Sequence, residues 1–343
     1  MATEKVLIVG GGVAGMSAAL QLADMGFRSR IIEAAPFLGG HAVQYSCKAT
    51  DRCVKCGACM VEERLHRTLS SPAVEAWTDS RVQRVCRNKD FELVVRRPQD
   101  PSAAVKAGAV ILACGFKAFD PVEKPYGYGK FEDVITNLEL ERMLRARSVP
   151  VRPSDGALPR RIGFVQCVGS RDSRLGHLWC SRICCGSALR MARLIRMRCP
   201  DTEIAFFYID VQTFGNNFDS FYATVQDEVH MIRDIPGDVF LTPENRLKVV
   251  YYDPTEHRSR EEPFDLLVLS VGMTPSEDAA ELANQFQIGL DSSGFLPAGT
   301  GEIPQVTGVF TAGAACGPMS IAESVASGEA AAFQAAMYLR QSA

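Results

Sequence analysis

Short apolar runs recur along the chain, and most are followed by a stretch whose apolar residues repeat with helical spacing. Each such pair predicts a buried parallel strand that leads into a helix. The repeated alternation predicts an α/β protein with doubly wound sheets. The predicted strands are Val6–Val9, Ser29–Ile32, Ala109–Cys114, Ile162–Val165, Ile204–Ile209 and Asp265–Val271. The predicted helices are Asn137–Ala146, Gly186–Arg196, one from near Ala14 to near Gly26, and an alanine-rich helix near the C-terminus.

The first apolar run leads directly into a glycine-rich turn. Its first glycine permits the tight turn, the second lets a pyrophosphate approach the backbone, and the third allows close contact between helix and strand. The helix directs its free N–H groups toward the phosphates, and an acid after the second strand is placed to accept ribose hydroxyls. The sequence therefore predicts a dinucleotide site formed by Gly10, Gly12, Val13, Ala14, Gly15 and Glu33.

Three further stretches resemble the motifs of two-dinucleotide-domain flavoproteins and favour FAD over NAD. Residues 33–41 resemble the stretch in which a glycine pair passes the pyrophosphate, and residues 109–115 resemble the A-T-G strand, with Cys114 in the Thr position. Residues 308–313 resemble the last flavin motif, whose final Asp, which bonds the ribityl chain, is replaced by Ala314. The replacement affects that single contact, not the cofactor. The resemblance adds these candidate contacts: Gly39, Gly40, His41, Ala113, Cys114, Gly115, Gly313, Ala314, Pro318 and Ile321.

A capping box is predicted at the start of the C-terminal helix, since Ser320 and Glu323 have the required spacing. In the resembling flavoproteins this helix directs its N-terminus at the flavin. A positive helix end there favours an anionic reduced flavin.

Flavin motifs at both ends of the chain predict a discontinuous FAD-binding domain, residues 1–122 and 260–343, around a central domain, residues 123–259. The arrangement resembles thioredoxin-reductase-like flavoproteins, whose central domain carries a second glycine motif for NAD(P)H. Here the corresponding strand ends in QCVGSRD, where only Gly169 remains and bulky side chains fill the place of the pyrophosphate. A nicotinamide site is therefore not expected, and electrons need another route to the flavin.

Composition narrows the environment and the partners. A formal net charge of −3 argues against nucleic acid as the main partner. No apolar run approaches the roughly 18 residues that a membrane span needs, and the early first strand leaves no room for a signal peptide. We therefore expect a cytoplasmic protein. In a reducing compartment its 12 cysteines favour metal or redox roles over structural disulfides.

Two sets of cysteines have spacings that point to electron transfer. Cys53, Cys56 and Cys59 have the C-x2-C-x2-C spacing that lets three thiolates reach three corners of one iron–sulfur cube, with Cys47 as the candidate fourth ligand. A redox dithiol, a zinc site and unligated thiols stay open as alternatives for this run. The second set matches no generic pattern and consists of Cys167, Cys180, Cys184 and Cys185.

Residues 127–144, 161–172, 179–185 and 315–332 together resemble the A-subunit family of heterodisulfide reductases over nearly the whole chain. In that family four cysteines spaced like the second set hold a non-standard [4Fe–4S] cluster, so the resemblance implies one cluster here. The Cys53–Cys59 run departs from the methanogen pattern, where a simpler cysteine pair stands, and a second cluster there stays open. The chain has only the flavoprotein core, as in the heterodisulfide-reductase-like complexes of sulfur-oxidising bacteria.

The resemblance implies an oxidoreductase subunit that passes electrons between FAD and a [4Fe–4S] cluster. Substrate chemistry is expected on other subunits of the complex, and a homodimer is expected by resemblance. Three alternatives stay open. The first is an NAD(P)H-linked flavin disulfide reductase with Cys53 and Cys56 as its dithiol. The second is the flavoprotein subunit of a quinone-interacting oxidoreductase, and the third is a flavin-binding scaffold without redox activity.

Overall fold

A computed structural model of the protein describes residues 6–212, 215, 218–244, 246–298 and 306–341. Residues 1–5, on which the expectation of no signal peptide partly depends, lie outside this part. The strands are β1 Val6–Val9, β2 Ser29–Ile32, β3 Val74–Trp77, β4 Arg81–Arg87, β5 Phe91–Arg96, β6 Ala103–Ala107, β7 Ala109–Leu112, β8 Phe116–Ala118, β9 Val134–Thr136, β10 Arg161–Val168, β11 Glu203–Phe207, β12 His230–Ile232, β13 Asp238–Leu241, β14 Leu247–Asp253, β15 Arg258–Phe264, β16 Leu266–Val271, β17 Met273–Pro275 and β18 Val309–Thr311. The α-helices are α1 Val13–Asp24, α2 Ala58–Ser70, α3 Asn137–Arg147, α4 Cys184–Arg198, α5 Phe218–Val225, α6 Glu277–Phe286 and α7 Ile321–Gln341.

The chain forms two compact units. The first unit contains the residues up to Val43, Gly57–Lys117 and the residues from Thr274 onward. The second, which we call the central unit, contains Gln44–Cys56 and Ala118–Met273. None of the helices in the described part of the chain is both long and apolar enough to cross a membrane.

A parallel five-stranded sheet in the order β18-β7-β1-β2-β3 forms the middle of the first unit. Strand β1 lies between β2 and β7, with Val6 opposite both Ser29 and Ala109, and all of its residues are buried. Helices α1 and α7 pack closely, since a Cβ on Gly328 would be 2.2 Å from the backbone oxygen of Ala14. A separate antiparallel sheet contains β4, β5 and β6.

The central unit has a second parallel sheet, in the order β12-β11-β10-β16-β9. Phe164 of β10 and Phe206 of β11 are fully buried in its core. Strands β13, β14 and β15 of the same unit form an antiparallel sheet. The two parallel sheets confirm the predicted α/β architecture.

The units differ from the sequence-based domain bounds (1–122 and 260–343 around 123–259) at three places. Residues 260–273 group with the central unit because β15 pairs with β14 and β16 lies between β10 and β9. Residues 118–122 join it as well. Residues Gln44–Cys56, which we call the strap, leave the first unit because buried polar contacts hold them on α3 and α4.

Candidate functional site

The glycine turn between β1 and α1 has the geometry of a phosphate cradle. Gly10 has a φ of 108°, and a Cβ there would be 2.2 Å from the backbone oxygen of Ala113. A Cβ on Gly15 would be 1.9 Å from the Gly10 oxygen, so α1 packs directly on the turn. A Cβ on Gly12, in contrast, would meet no atom within 4 Å. Open space therefore lies at the glycine predicted to face the pyrophosphate, next to the first helical residue, Val13.

Glu33, which follows β2, holds this turn through its carboxylate. Its Oε2 accepts the N–H of Gly11 at 2.6 Å and its Oε1 accepts a second backbone N–H at 2.7 Å. Gly39 donates its N–H to the Gly11 oxygen at 2.8 Å, and a Cβ on Gly40 would be 3.3 Å from the Gly12 Cα. The glycine pair therefore lies against the glycine turn, in the arrangement that the flavoprotein resemblance implies.

The end of β7 lies beside the same turn. Ala113 donates its N–H to the oxygen of Val9 at 2.7 Å. Cys114 follows, and its pKa is raised to about 12 by burial and, to a smaller extent, by the charge of Asp278. Its thiol is therefore neutral at pH 7. A Cβ on Gly115 would meet no atom within 4 Å, so the backbone there also faces open space.

The last flavin-like motif lies against α1. A Cβ on Gly313 would be 2.5 Å from the Cβ of Ala14. Ala314 is buried and offers no side-chain donor or acceptor where the resembling proteins have Asp. The sequence-based expectation of one missing ribityl contact agrees with this chemistry.

Helix α7 begins where the motif predicts. Ser320 donates its N–H to Glu323 Oε2 at 2.8 Å, and Glu323 donates its N–H to Ser320 Oγ at 3.2 Å, which confirms the capping box. Pro318 precedes this cap, and Ile321 is the first helical residue. A Cβ on Gly317 would meet no atom within 4 Å, so a third opening lies at this helix start.

His41, which follows the glycine pair, is held by Phe116. Its Nε2 lies 3.2 Å from the Phe116 backbone oxygen, and the two rings are 4.7 Å apart. The first unit thus combines a glycine turn, a helix N-terminus and backbone openings at Gly12, Gly115 and Gly317. These features fit an elongated dinucleotide such as FAD, because phosphates and ring edges are bound largely by backbone N–H groups.

The second cysteine set, Cys167, Cys180, Cys184 and Cys185, lies at the carboxyl edge of the central sheet, and we call it the central thiol set. Cys167 is near the end of β10, whereas Cys184 and Cys185 begin α4. Ligands of open parallel sheets bind outside the carboxyl ends of the strands, where the strand order reverses. The order reverses at β10, which has β11 on one side and β16 on the other. The central thiol set therefore occupies the place where this kind of sheet binds a nucleotide.

The four sulfurs of the central thiol set lie within electrostatic range of one another. Burial raises the pKa of Cys184 well above 9.0, and Cys185, Cys167 and Cys180 raise it further. Burial likewise raises the pKa of Cys167 to about 12, with contributions from Cys185 and Cys180. Burial also raises the pKa of Cys185, to which Cys180 again contributes. Four converging thiols with little access to water are a donor set that fits an iron–sulfur cluster.

Buried hydroxyls hold the loop that carries Cys180. The hydroxyl oxygens of Ser170 and Ser181 are 2.6 Å apart, and the Ser181 hydroxyl accepts the N–H of Met273 at 2.7 Å. Trp179 donates its indole N–H to the oxygen of Met273 at 2.9 Å. The loop between β10 and α4 is thus fixed on both sides of Cys180.

The first cysteine run is divided between the units. Cys47, Cys53 and Cys56 belong to the strap, and Cys59 lies in α2 of the first unit. Cys47, Cys53 and Cys59 are exposed, and Cys56 is half-buried. Arg190 of α4 donates its Nε–H to the backbone oxygen between Cys53 and Lys55 at 2.7 Å. Its charge interacts with the Cys56 and Cys53 thiols, although burial lowers its own pKa.

Single metal ions are a poor match for both cysteine sets. Within the described residues, no group of three or more His, Cys, Asp or Glu side chains is placed to hold one metal ion. The described residues therefore do not form the zinc site that is one alternative for the Cys53–Cys59 run. A four-iron cluster binds each thiolate at a different iron, so its ligands stand further apart than ligands of one ion.

A buried ion pair in the strap was not anticipated from the sequence. Lys48 Nζ lies 2.6 Å from Glu141 Oε1 of α3, with side-chain exposures of only 4% and 2%. Ser46 donates both its N–H and its hydroxyl to Glu141 Oε2, each at 3.2 Å. Burial, followed by the Glu141 charge and then Cys184, raises the pKa of the neighbouring Tyr45. Nothing in the local pattern marks these residues, because their partners lie far away in the chain.

Comparison with solved structures identifies the fold. The thioredoxin reductase of T. acidophilum is 16% identical, with a TM-score of 0.66 and coverage of 99% of each chain. The Lactococcus lactis thioredoxin reductase is also 16% identical, with a TM-score of 0.66, and the match covers 99% of this chain and 100% of that one. The NAD(P)-binding Rossmann-like domain family matches residues 8–63. The fold is therefore that of two-dinucleotide-domain flavoproteins, as predicted.

Sequence relatives decide between flavoprotein families. The A-subunit of the H(2):CoB-CoM heterodisulfide,ferredoxin reductase from Methanothermobacter marburgensis is 30% identical, and the match covers 97% of this chain and 64% of the relative. The second iron-sulfur A-subunit of the CoB--CoM heterodisulfide reductase from Methanopyrus kandleri is 31% identical over 98% of this chain and 64% of the relative. The resemblance to the heterodisulfide reductase A-subunit family is confirmed.

The match to these A-subunits covers only part of each relative. The chain spans 64% of the length of both relatives, and 40% of a Methanococcus maripaludis A-subunit that is 38% identical over 72% of this chain. The relatives therefore contain segments without a counterpart in the given sequence. The part shared with the first two relatives contains both the glycine turn and the central thiol set.

Proposed function

We propose that the protein is an oxidoreductase subunit that holds FAD in its first unit and a [4Fe–4S] cluster on the central thiol set. The observation that carries the proposal is the position of the four thiols. They replace a glycine turn at the strand-order reversal of the central sheet, where a nicotinamide dinucleotide would otherwise bind.

The proposed cofactor contacts follow from the geometry. Gly10, Gly12 and Gly15 leave room for the pyrophosphate, and Glu33 and Gly40 lie against the same turn. In the central unit, burial disfavours free thiolates, so charge on the four sulfurs requires bound metal. A flavin exchanges two electrons that can leave singly, whereas a [4Fe–4S] cluster passes one at a time. The subunit would thereby convert between two-electron and one-electron transfer.

We further propose that the subunit works in a heterodisulfide-reductase-like complex of sulfur metabolism. The names of the relatives support a complex, since each relative is named as one subunit of a reductase. Substrate chemistry then belongs to other subunits, and the chain forms a homodimer in the complex. The assignment to the sulfur-oxidising type of complex rests on the sequence resemblance alone.

A second candidate function is favoured by one observation. The Arg190 charge faces Cys53 and Cys56, and a nearby cation favours the thiolate form that a redox dithiol needs. This would suit a flavin disulfide reductase. Iron-free protein that reduces a disulfide with NAD(P)H would decide in favour of this function.

Iron, sulfide and flavin measured per chain after anaerobic purification test the main proposal. We expect one FAD and about four irons per chain for one cluster. Cys184→Ala should remove the iron and leave the flavin, whereas Cys56→Ala tests the first cysteine run in the same way. Protein that is free of iron after anaerobic purification contradicts the proposal, and unchanged iron in Cys184→Ala contradicts the ligand assignment.

A further inference from the structure

Arg171 lies between the central thiol set and an acidic partner. Its guanidinium donates a hydrogen bond to the Cys167 sulfur, and its charge interacts with Cys180. Its Nη1 and Nη2 donate to the two carboxylate oxygens of Asp210 at 2.5 and 2.9 Å. Bidentate pairing fixes the plane of a guanidinium, so the positive charge is held against the sulfurs in one orientation.

Asp210 is held in turn and reaches a third thiol. Gln212 donates its side-chain N–H to Asp210 Oδ1 at 2.8 Å and its backbone N–H to the Cys185 sulfur. The backbone oxygen of Asp210 lies 3.8 Å from Cys185 Sγ. Hydrogen bonds from Arg171 and Gln212 hold the pKa of Asp210 below its usual value, so its carboxylate is charged at neutral pH. One ion pair thus touches the thiol set from both sides.

The backbone around this pair has an uncommon conformation. Cys167, Arg171 and Arg182 have φ values of 60°, 55° and 62°, in the left-handed region that non-glycine residues rarely adopt. Each such residue costs of order 1–3 kcal/mol unless the surrounding structure imposes it. The N–H of Arg171 donates to the oxygen of Trp179 at 3.0 Å, which holds the loop in this form. The fold therefore directs Arg171 toward the sulfurs at an energetic cost.

We propose that Arg171 and Asp210 set the reduction potential of the cluster on the central thiol set, with Arg171 raising it and Asp210 lowering it. The inference rests on the proposed function, because it requires the cluster. One-electron reduction adds one negative charge to the cluster and its thiolates, and no proton. A positive charge or an N–H donor near the sulfurs stabilises the reduced form, whereas a carboxylate destabilises it.

The pair makes opposite predictions for two variants. Arg171→Gln removes the positive charge and leaves Asp210 uncompensated, so the cluster should become harder to reduce. Asp210→Asn leaves Arg171 uncompensated, so the cluster should become easier to reduce. The side chains are 26% and 38% exposed, which screens both effects. We expect the ratio of reduced to oxidised cluster at a fixed potential to change about three- to tenfold, where tenfold is about 59 mV.

The test is an anaerobic dithionite titration of the holoprotein, with the cluster followed by EPR and iron counted per chain. Arg174→Gln serves as the matched control, because Arg174 is exposed on the same loop and its replacement should leave the potential unchanged. Arg171→Lys should restore part of the shift, since it keeps the charge and loses the bidentate pairing. The double variant Arg171→Gln/Asp210→Asn should lie between the single variants.

The possible outcomes separate the two proposals. Opposite shifts in Arg171→Gln and Asp210→Asn with wild-type iron content support the inference, because loss of packing alone does not change sign. Equal potentials in all variants, or shifts of the same sign, overturn it and leave the cluster assignment intact. Should Arg171→Gln fail to fold, the sign of the shift in Asp210→Asn decides alone. Wild-type protein without a cluster overturns the proposed function and this inference together.

Discussion

The two units place different chemistry at the same point of similar sheets. In the first unit β1 is flanked by β2 and β7 and joins α1 through the three residues Gly10–Gly12. In the central unit β10 is flanked by β11 and β16 and joins α4 through the long loop 169–183. Small glycines leave an opening in one unit, and thiols fill the equivalent place in the other.

The difference shows that the edge of such a sheet is a site for anions rather than for one ligand. A helix N-terminus stabilises negative charge, whether it belongs to a pyrophosphate or to sulfur ligands of a cluster. What changes between the units is the connection before the helix. A short glycine turn brings the backbone close to the ligand, whereas a long loop supplies side-chain ligands and an ion pair.

Gly12→Val should have the largest effect, because it closes the opening of the first unit without disturbing its packing. Gly12 has a φ of −73°, which valine accepts, and its Cβ would meet no protein atom within 4 Å. We expect FAD per chain to fall at least about tenfold, since a loss of more than about 1.4 kcal/mol in binding suffices. Flavin absorbance after gel filtration measures this.

Gly15→Val is the matched control for that prediction. Its Cβ would lie 1.9 Å from the Gly10 oxygen, so the variant should also lose thermal stability. Gly12→Val should keep wild-type stability in the flavin-free state and wild-type iron. A Gly12→Val protein with normal flavin content would mean that the turn does not bind the pyrophosphate.

Lys48→Met should have the next largest effect and tests how the strap is held on the central unit. Removal of Lys48 leaves the buried Glu141 charge without its partner, which costs about 3–5 kcal/mol in the free energy of unfolding. Urea denaturation followed by circular dichroism measures the change. The double variant Lys48→Met/Glu141→Leu should recover most of it, because no unpaired charge remains.

The exposed pair between Lys106 and Glu92 of the first unit is the control. Its nitrogen–oxygen distance is also 2.6 Å, but the side chains are 64% and 43% exposed. Lys106→Met should change the free energy of unfolding by less than about 1 kcal/mol. Equal losses in Lys48→Met and Lys106→Met would show that the strap is not fixed by this pair.

Local sequence patterns predicted the features that depend on neighbouring residues. The glycine turn, most of the parallel strands and the capping box of α7 follow from spacing alone, and the structure contains them. Helix α3 begins at Asn137, as predicted, because Thr136 caps it. The cysteine spacing selected the residues that converge at β10, although it could not show that they are buried.

Features that depend on distant partners could not be predicted. The strap joins the central unit through Glu141, which lies far from Lys48 in the chain, and no local periodicity reports such a pair. Asp210 was missed for the same reason, since its role comes from Arg171 across a strand and a helix. Arg171 itself was one of many arginines in the central segment, and only the fold distinguishes it from its neighbours.

The smallest predicted effect compares the capping boxes of the two units. Thr136 Oγ1 accepts the N–H of Glu139 at 3.2 Å, and Glu139 Oε2 accepts the Thr136 N–H at 2.7 Å, much as Ser320 and Glu323 do at α7. Thr136→Ala and Ser320→Ala should each lower the free energy of unfolding by about 1 kcal/mol. Only Ser320→Ala should also weaken FAD binding, because its helix starts beside the proposed flavin site, and flavin titration of both variants measures this. Equal flavin affinity in the two variants would remove α7 from the site and leave the glycine turn as the main contrast between the units.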